Sequence, residues 1–283
     1  MNPETNGTMR STGTFHVVDN YDWLKTAAII LVAVDHFGYF FMENADWWSV
    51  FGRMAAPVFF FLMGYAQTRT VPLRWIWLGI ILTLLDSWNA DWTWVAPNIL
   101  LSLALIRVAR PHMKNLIHHF GWISFALIVC ALCMMLPIAS NIIEYGTEGW
   151  LWALFGLCQR MFVDGRSLTG VNATDQNPAA SAYLLTPNVG PMRILAAFVA
   201  AVVYVWQEQL EFAFSQVQLA IVIFGVGALS VSFCLFRRGP SRIQPPEPLA
   251  RTLHFIGWHT LEIYVIQLAG SELIIKLVPS LAA

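Results

Sequence analysis

Nine stretches of this chain are apolar for about the length of a bilayer-crossing helix, and little chain is left between them. They cover residues 22–42, 50–68, 71–88, 92–108, 121–139, 147–163, 191–207, 214–236 and 254–279. In hydrocarbon every backbone N–H and C=O must find its partner within the protein, which for segments of this length means helices. The expectation is an all-α, polytopic helical bundle of about nine transmembrane helices, a single domain over 22–283 in contact with the lipid bilayer. Only 12% of the 283 residues are charged, where a soluble domain carries about 25%. The net charge of -1 gives no reason to expect a nucleic-acid partner.

The connections alternate in sign. Arg10 and Lys25 lie at the start, Glu43 and Asp46 in the first loop, Arg69 and Arg74 in the second, Asp86 and Asp91 in the third. Arg107, Arg110 and Lys114 follow, then Glu144 and Glu148, then Arg160, Arg166 and Arg193, then Glu208 and Glu211, then Arg237, Arg238, Arg242 and Arg251. Basic loops face the cytoplasm, so the N-terminus is predicted inside and the C-terminus outside. Residues 1–21 are a polar arm without the basic start and short apolar core of a cleaved signal, and the first apolar run reads as a retained span. Two cytoplasmic loops are long. Residues 164–190 are polar, with Gly and Pro, and serve as a connector or a lid; residues 237–250 are a Pro-rich linker. The sequon Asn172-Ala173-Thr174 is discounted on that side of the membrane. Cys130 and Cys133 share a helix face, but no second ligand pair stands near them, so they read as packing residues and no metal is expected.

The first span carries Asp35 and His36 side by side. An ionisable group at membrane depth costs about 2.5 kcal/mol or more, so it reads as functional unless paired for packing. Adjacent residues point about 100° apart on a helix. Asp35 therefore cannot clamp the His36 ring and is expected to pair with a cation on another helix. Arg53, which opens the second span at the same depth after a short loop, is the candidate. Lys25 lies eleven residues before His36, close to three turns, on the same face and about 16 Å away along the axis. Asp22 can pair with Lys25. In the second span Gly52 and Gly64 permit close approach, and Pro57 kinks the helix or leaves a carbonyl free. Tyr65, Arg69 and Arg74 lie at its cytoplasmic side. With Arg107, Arg110 and Lys114, these arginines can bind the phosphates of a cytosolic cofactor, or simply reflect the positive-inside bias. In the last span His259 and Glu262 share a face, Glu262 falls near mid-membrane, and Tyr264 and Gln267 lie further out. Glu262 reads as a proton or substrate contact, or as an interhelical hydrogen bond. Asp86 and Asn98 line an outward pocket or lie at the interface.

Asp-His-Phe-Gly at 35–38 and Gly-Arg-x-Ala-x-Pro at 52–57 resemble the start of TraX-type proteins, which belong with the wider transmembrane acyltransferases. Asp22-Trp-Leu-Lys25 with His36 eleven positions on, the Phe-Phe-Phe-Leu-Met-Gly-Tyr run at 59–65 and the closing run 256–264 are similar to type 3 acyltransferases. The stretch from about 90 to 250 carries no such mark. The resemblance implies a multi-pass protein of the bacterial inner membrane. It would take an acyl group, acetyl above all, from cytosolic acyl-CoA and pass it to a hydroxyl or amine acceptor. His36 would be its essential histidine. The mechanism that fits both the residues and the resemblance makes His36 a general base or a transient carrier of the acyl group, with Asp35 and Arg53 setting its charge and orientation. Lys25, Tyr65, Arg69, Arg74, His259, Glu262 and Tyr264 would contact substrate or cofactor. Lys25 stands where type 3 acyltransferases usually have Arg, and Gln267 where the final helix often carries His. Two other functions stay open. One is a non-catalytic accessory subunit that packs on other membrane proteins through Trp- and Phe-rich faces and the N-terminal arm. The other is proton-coupled transport through Asp35, His36 and Glu262, against which stands the lack of inverted repeat symmetry.

Overall fold

The computed structural model describes residues 17–43, 45–68, 70–169 and 188–278. These form eleven helices; among the described residues the only extended pairing is an isolated bridge between Asp19 and Pro240. Helix α1 is Asn20–Phe41, α2 Ala45–Gly52, α3 Ala55–Tyr65, α4 Leu73–Asn89, α5 Ile99–Phe120 and α6 Trp122–Ala139. Helix α7 is Glu148–Thr169, α8 Val189–Phe212, α9 Gln216–Leu235, α10 Glu247–Trp258 and α11 Thr260–Leu277. By length and composition α1, α6, α8 and α9 suffice to cross a membrane.

Two of the remaining apolar stretches depart from single unbroken spans. Residues 50–68 are divided between α2 and α3, and 254–279 between α10 and α11. The first division traces to Pro57, which sits in the first turn of α3, where the missing N–H is tolerated. A continuous helix would need that N–H to bond the carbonyl of Arg53. The carbonyl instead accepts from Ala56 N at 3.2 Å and from the Tyr204 hydroxyl at 2.6 Å. The second division lies at His259, outside ideal helical geometry at φ −103° and ψ 22°. The helix expected from 92 begins only at Ile99, because Asn98 caps it by accepting from Leu100 N. The loop expected from 164 is helical to Thr169, and the linker expected to 250 is helical from Glu247. The sequon at 172–174 and most of the arm, residues 1–16, lie outside the described residues.

The alternation of charge has a structural counterpart, because the connections gather at two ends. At one, Arg107 and Arg110 donate to the carbonyls of Thr68, Gly64 and Gln67, and Arg238 N donates to the Tyr65 hydroxyl. At the other, Arg53 meets Glu211 on the last turn of α8, Glu144 N bonds Pro97 O, and Trp94 donates to Asn141 O. The first is the basic end and the second the acidic end.

Packing is closest between α3 and α7. A Cβ on Gly64 would lie 1.8 Å from the Ala153 carbonyl oxygen, and one on Gly156 2.1 Å from that of Phe61. Only glycine permits this approach, the usual device where membrane helices pack without a hydrophobic driving force. Beside it Phe61 stacks on Phe233 of α9 with centroids 4.1 Å apart, and Trp152, Phe155 and Tyr204 complete a buried aromatic core.

Candidate functional site

The opposite half of the bundle is hollow. A cavity of about 850 Å³ is lined by α1, α3, α4, α5, α10 and α11. Its lining runs from Asp35, His36, Glu144 and Tyr145 at the acidic end to Lys25, Arg74, Arg107 and Arg238 at the basic end. Between them the wall is mostly apolar, with Val32, Ala56, Phe59, Met63 and Leu103.

His36 faces this space. Its Nδ1 is buried and has no hydrogen-bond partner among the described residues. The ring packs against those of Phe40 and Tyr264, with centroids 6.1 and 6.0 Å away. An unmatched buried imidazole nitrogen is costly unless a ligand completes it. Asp35 does not touch the imidazole; it turns to Arg53, with Oδ2 3.6 Å from Nε, as their adjacency on α1 predicts. Gly52 makes the pair possible, since a Cβ there would lie 2.2 Å from that of Asp35. Arg53 stands behind the cavity wall rather than in it. Its guanidinium also donates to the Tyr145 hydroxyl at 3.2 Å, lies 3.6 Å from Glu211 and sits over the Phe212 ring at 4.6 Å.

Glu144 and Tyr145 come from the connection between α6 and α7, where Tyr145 adopts φ +60°, a conformation a bulky side chain rarely takes. Glu144 accepts from Ile99 N at 2.6 Å. Its removal from bulk water pushes its carboxyl up to about 7, and the Ile99 N–H opposes that rise.

The other expected site residues divide. Lys25 lines the basic mouth, but its ammonium donates to Gly257 O at 2.9 Å, while Asp22 reaches back to Asp19 N and pairs with His254 at 3.5 Å. The expected Asp22–Lys25 pair is replaced because α10 packs across this face of α1. Tyr264 lines the cavity, and its hydroxyl receives a hydrogen bond from Asn98 Nδ2 at 3.1 Å. Tyr65 is buried outside the lining and holds Arg238 N. Arg74 lines the mouth but is committed to Glu262 at 2.9 Å. Glu262 is therefore not a buried mid-membrane carboxylate: it is half-exposed toward the basic end, because the break at His259 starts α11 there. His259 sits 4.0 Å from Glu262, also outside the lining. Gln267 donates to Val32 O. Arg69 lies outside the described residues. Cys130 is exposed and Cys133 half-buried, and both are free thiols.

Four residues that the sequence did not single out complete the acidic end: Glu144, Tyr145, Tyr204 and Glu208. Glu144 and Glu208 are visible in the sequence only as loop charges, and nothing in the spacing points to the tyrosines.

An apolar helical bundle with a polar-ended cavity and an unmatched histidine inside it defines a membrane-embedded protein with an internal site. Residues 20–174, more than half of the chain, match the family model described as TraX protein, and this chain belongs to that family. It is 31% identical over 129 residues to the uncharacterized protein RP591 of Rickettsia prowazekii (strain Madrid E), covering 45% of this chain and 51% of that protein. It is 28% identical over 135 residues to protein TraX of Escherichia coli, covering 46% of this chain and 52% of that protein. The chain thus matches about half the length of these curated relatives. No solved structure matches it.

Proposed function

We propose that this protein is a membrane-embedded acyltransferase that moves an acyl group, acetyl above all, from cytosolic acyl-CoA to a hydroxyl or amine acceptor at or across the membrane. The observation that carries this reading is one cavity joining a cationic mouth to His36, whose buried Nδ1 has no hydrogen-bond partner among the described residues. In the same reading the chain crosses the bacterial inner membrane nine times, with the basic end cytoplasmic. Phosphates would sit among Lys25, Arg107 and Arg238. The rise from Lys25 to His36 is about 16 Å, a distance an extended pantetheine arm covers.

His36 acts as general base. A nitrogen of its ring takes the acceptor's proton as the acceptor oxygen or nitrogen attacks the thioester carbonyl carbon. The tetrahedral intermediate collapses, the C–S bond breaks, and the thiolate leaves with the proton returned by the imidazolium. Asp35 and Arg53 hold the local charge, and the apolar wall keeps bulk water from the thioester.

The test is calorimetric titration of the purified, detergent-solubilised protein with acetyl-CoA, beside His36→Ala. Saturable binding by both proteins, with turnover lost only in the variant, supports the reading. No binding by a folded wild-type sample overturns it and favours the accessory-subunit alternative.

A further inference from the structure

The acidic end has a feature that the proposed chemistry does not use. The Tyr204 ring is buried against Trp152, at 6.2 Å, and its hydroxyl is spent on the backbone of Arg53 rather than on any side chain facing the cavity. The bond is short at 2.6 Å, and its acceptor is the carbonyl left without an i+4 donor by Pro57. The Arg53 peptide is the turn between α2 and α3. It is held by Arg53 N to Ser49 O at 3.0 Å, Met54 N to Phe51 O at 3.3 Å and Ala56 N to Arg53 O at 3.2 Å. From that turn the Arg53 side chain reaches Asp35, Tyr145, Glu211 and Phe212 at once. Glu208 lies one turn on from Tyr204 along α8, and its carboxyl also meets the Tyr204 hydroxyl.

We propose that Tyr204 is a positioning residue for the His36 site: it clamps the α2–α3 break so that Arg53 is held on Asp35 at the cavity wall. As a claim about catalysis this rests on the acyltransferase reading; as a claim about geometry it does not. A Phe at 204 keeps the ring in its aromatic pocket and removes one donor. The Arg53 carbonyl then keeps only the bent contact to Ala56 N, and the break is free to shift. Pro57→Ala offers the same carbonyl the missing N–H, but through a straighter helix that carries Arg53 away from Asp35.

The experiment compares wild type, Y204F and the double variant Y204F/P57A as purified full-length proteins. Thermal unfolding, acyl transfer from acetyl-CoA, and the rate at which diethyl pyrocarbonate modifies His36 are measured for each. The last is taken as the difference from the matching His36→Ala protein. Y204F is expected to stay folded and to lose about tenfold in kcat with KM for acetyl-CoA little changed, because the donor's own contacts are untouched. Its His36 modification rate is expected to change about threefold or more, in step with the kcat loss. The double variant is expected to regain thermal stability without regaining turnover. If it regains both, Tyr204 does no more than satisfy a carbonyl, and the proposal is overturned. An unchanged His36 modification rate in folded Y204F also overturns it. If Y204F does not fold, the double variant carries the same readouts. If wild type transfers no acyl group, the proposed function fails, while the modification rates still decide the positioning claim.

Discussion

The two halves of this bundle are built from the same kinds of residue and do opposite things with them. Around α3, α7 and α9, glycines bring backbones into contact and stacked rings fill what remains: Gly64 on Ala153, Gly156 on Phe61, Phe61 on Phe233. Around α1, α4, α5 and α11, helices that also touch one another leave about 850 Å³ of space between them. Side chains that anchor across the gap hold that space open: Arg74 to Glu262, Lys25 to Gly257, Asn98 to Tyr264. In a membrane, helices gain little from hiding apolar area, so close packing and polar contacts decide where they touch. The close-packed half acts as the frame; the polar pairs shape the cavity.

His36 puts the division between frame and site to its severest test. Replacing it with Ala is expected to reduce acyl transfer by about 100-fold or more, while thermal unfolding stays near that of wild type. An unfolded variant would show His36 to be part of the frame rather than of the site.

Paired enlargements probe both halves from one helix. Gly64→Leu pushes a side chain into the Ala153 carbonyl and is expected to cost about 3 kcal/mol or more, since overpacking a tight interface costs about 1–3 kcal/mol and backbone cannot yield as side chains do. Met63→Trp, one residue earlier but toward the cavity, is expected to change stability by about 1 kcal/mol or less and to abolish saturable acetyl-CoA binding. Unfolding in mild detergent and calorimetry read the two effects. Equal destabilisation by both would mean that the cavity half is as tightly packed as the frame.

Next in size is a pH dependence. The Glu144 carboxyl titrates near 7 in the folded protein against an ordinary value of 4.5. The folded state therefore binds the proton more tightly than the unfolded one. The associated stability is fully present below 4.5 and is lost as pH rises to about 7. Glu144→Gln keeps an acceptor for Ile99 N–H and is expected to flatten the stability profile across that window. The weakest response is expected at the mouth. Arg74→Met removes an exposed ion pair, for which about 1 kcal/mol or less is at stake. A larger loss would make the Arg74–Glu262 contact part of the frame.

Part of the site is legible in the sequence. Asp35 cannot serve its own neighbour, because consecutive helical residues diverge, and the short loop to Arg53 leaves one nearby cation; the two do pair. Pro57 implies a carbonyl without its helical donor, and the Arg53 carbonyl is that group. The identity of the new donor, Tyr204, is out of reach of such reasoning, because it lies some 150 residues further along the chain in a helix with no motif. The depth of Glu262 is hidden for a related reason. Counting along one unbroken helix puts it at mid-membrane, whereas the break at His259 makes it a half-exposed partner of Arg74.

The amino-acid sequence is enough to define the material and the polarity of this protein: apolar helical segments, and charged connections alternating between a basic and an acidic end. Those are local quantities, written in runs of about twenty residues and in the sign of each loop. Which helices touch and which stand apart was settled in three dimensions. There Asp22 turns to His254 rather than Lys25, Tyr204 comes to lie under Arg53, and His36 lines the cavity with a buried Nδ1 that has no partner among the described residues. These arrangements follow from contacts between residues far apart in the chain, where a single glycine or an orphaned carbonyl decides how closely two helices meet.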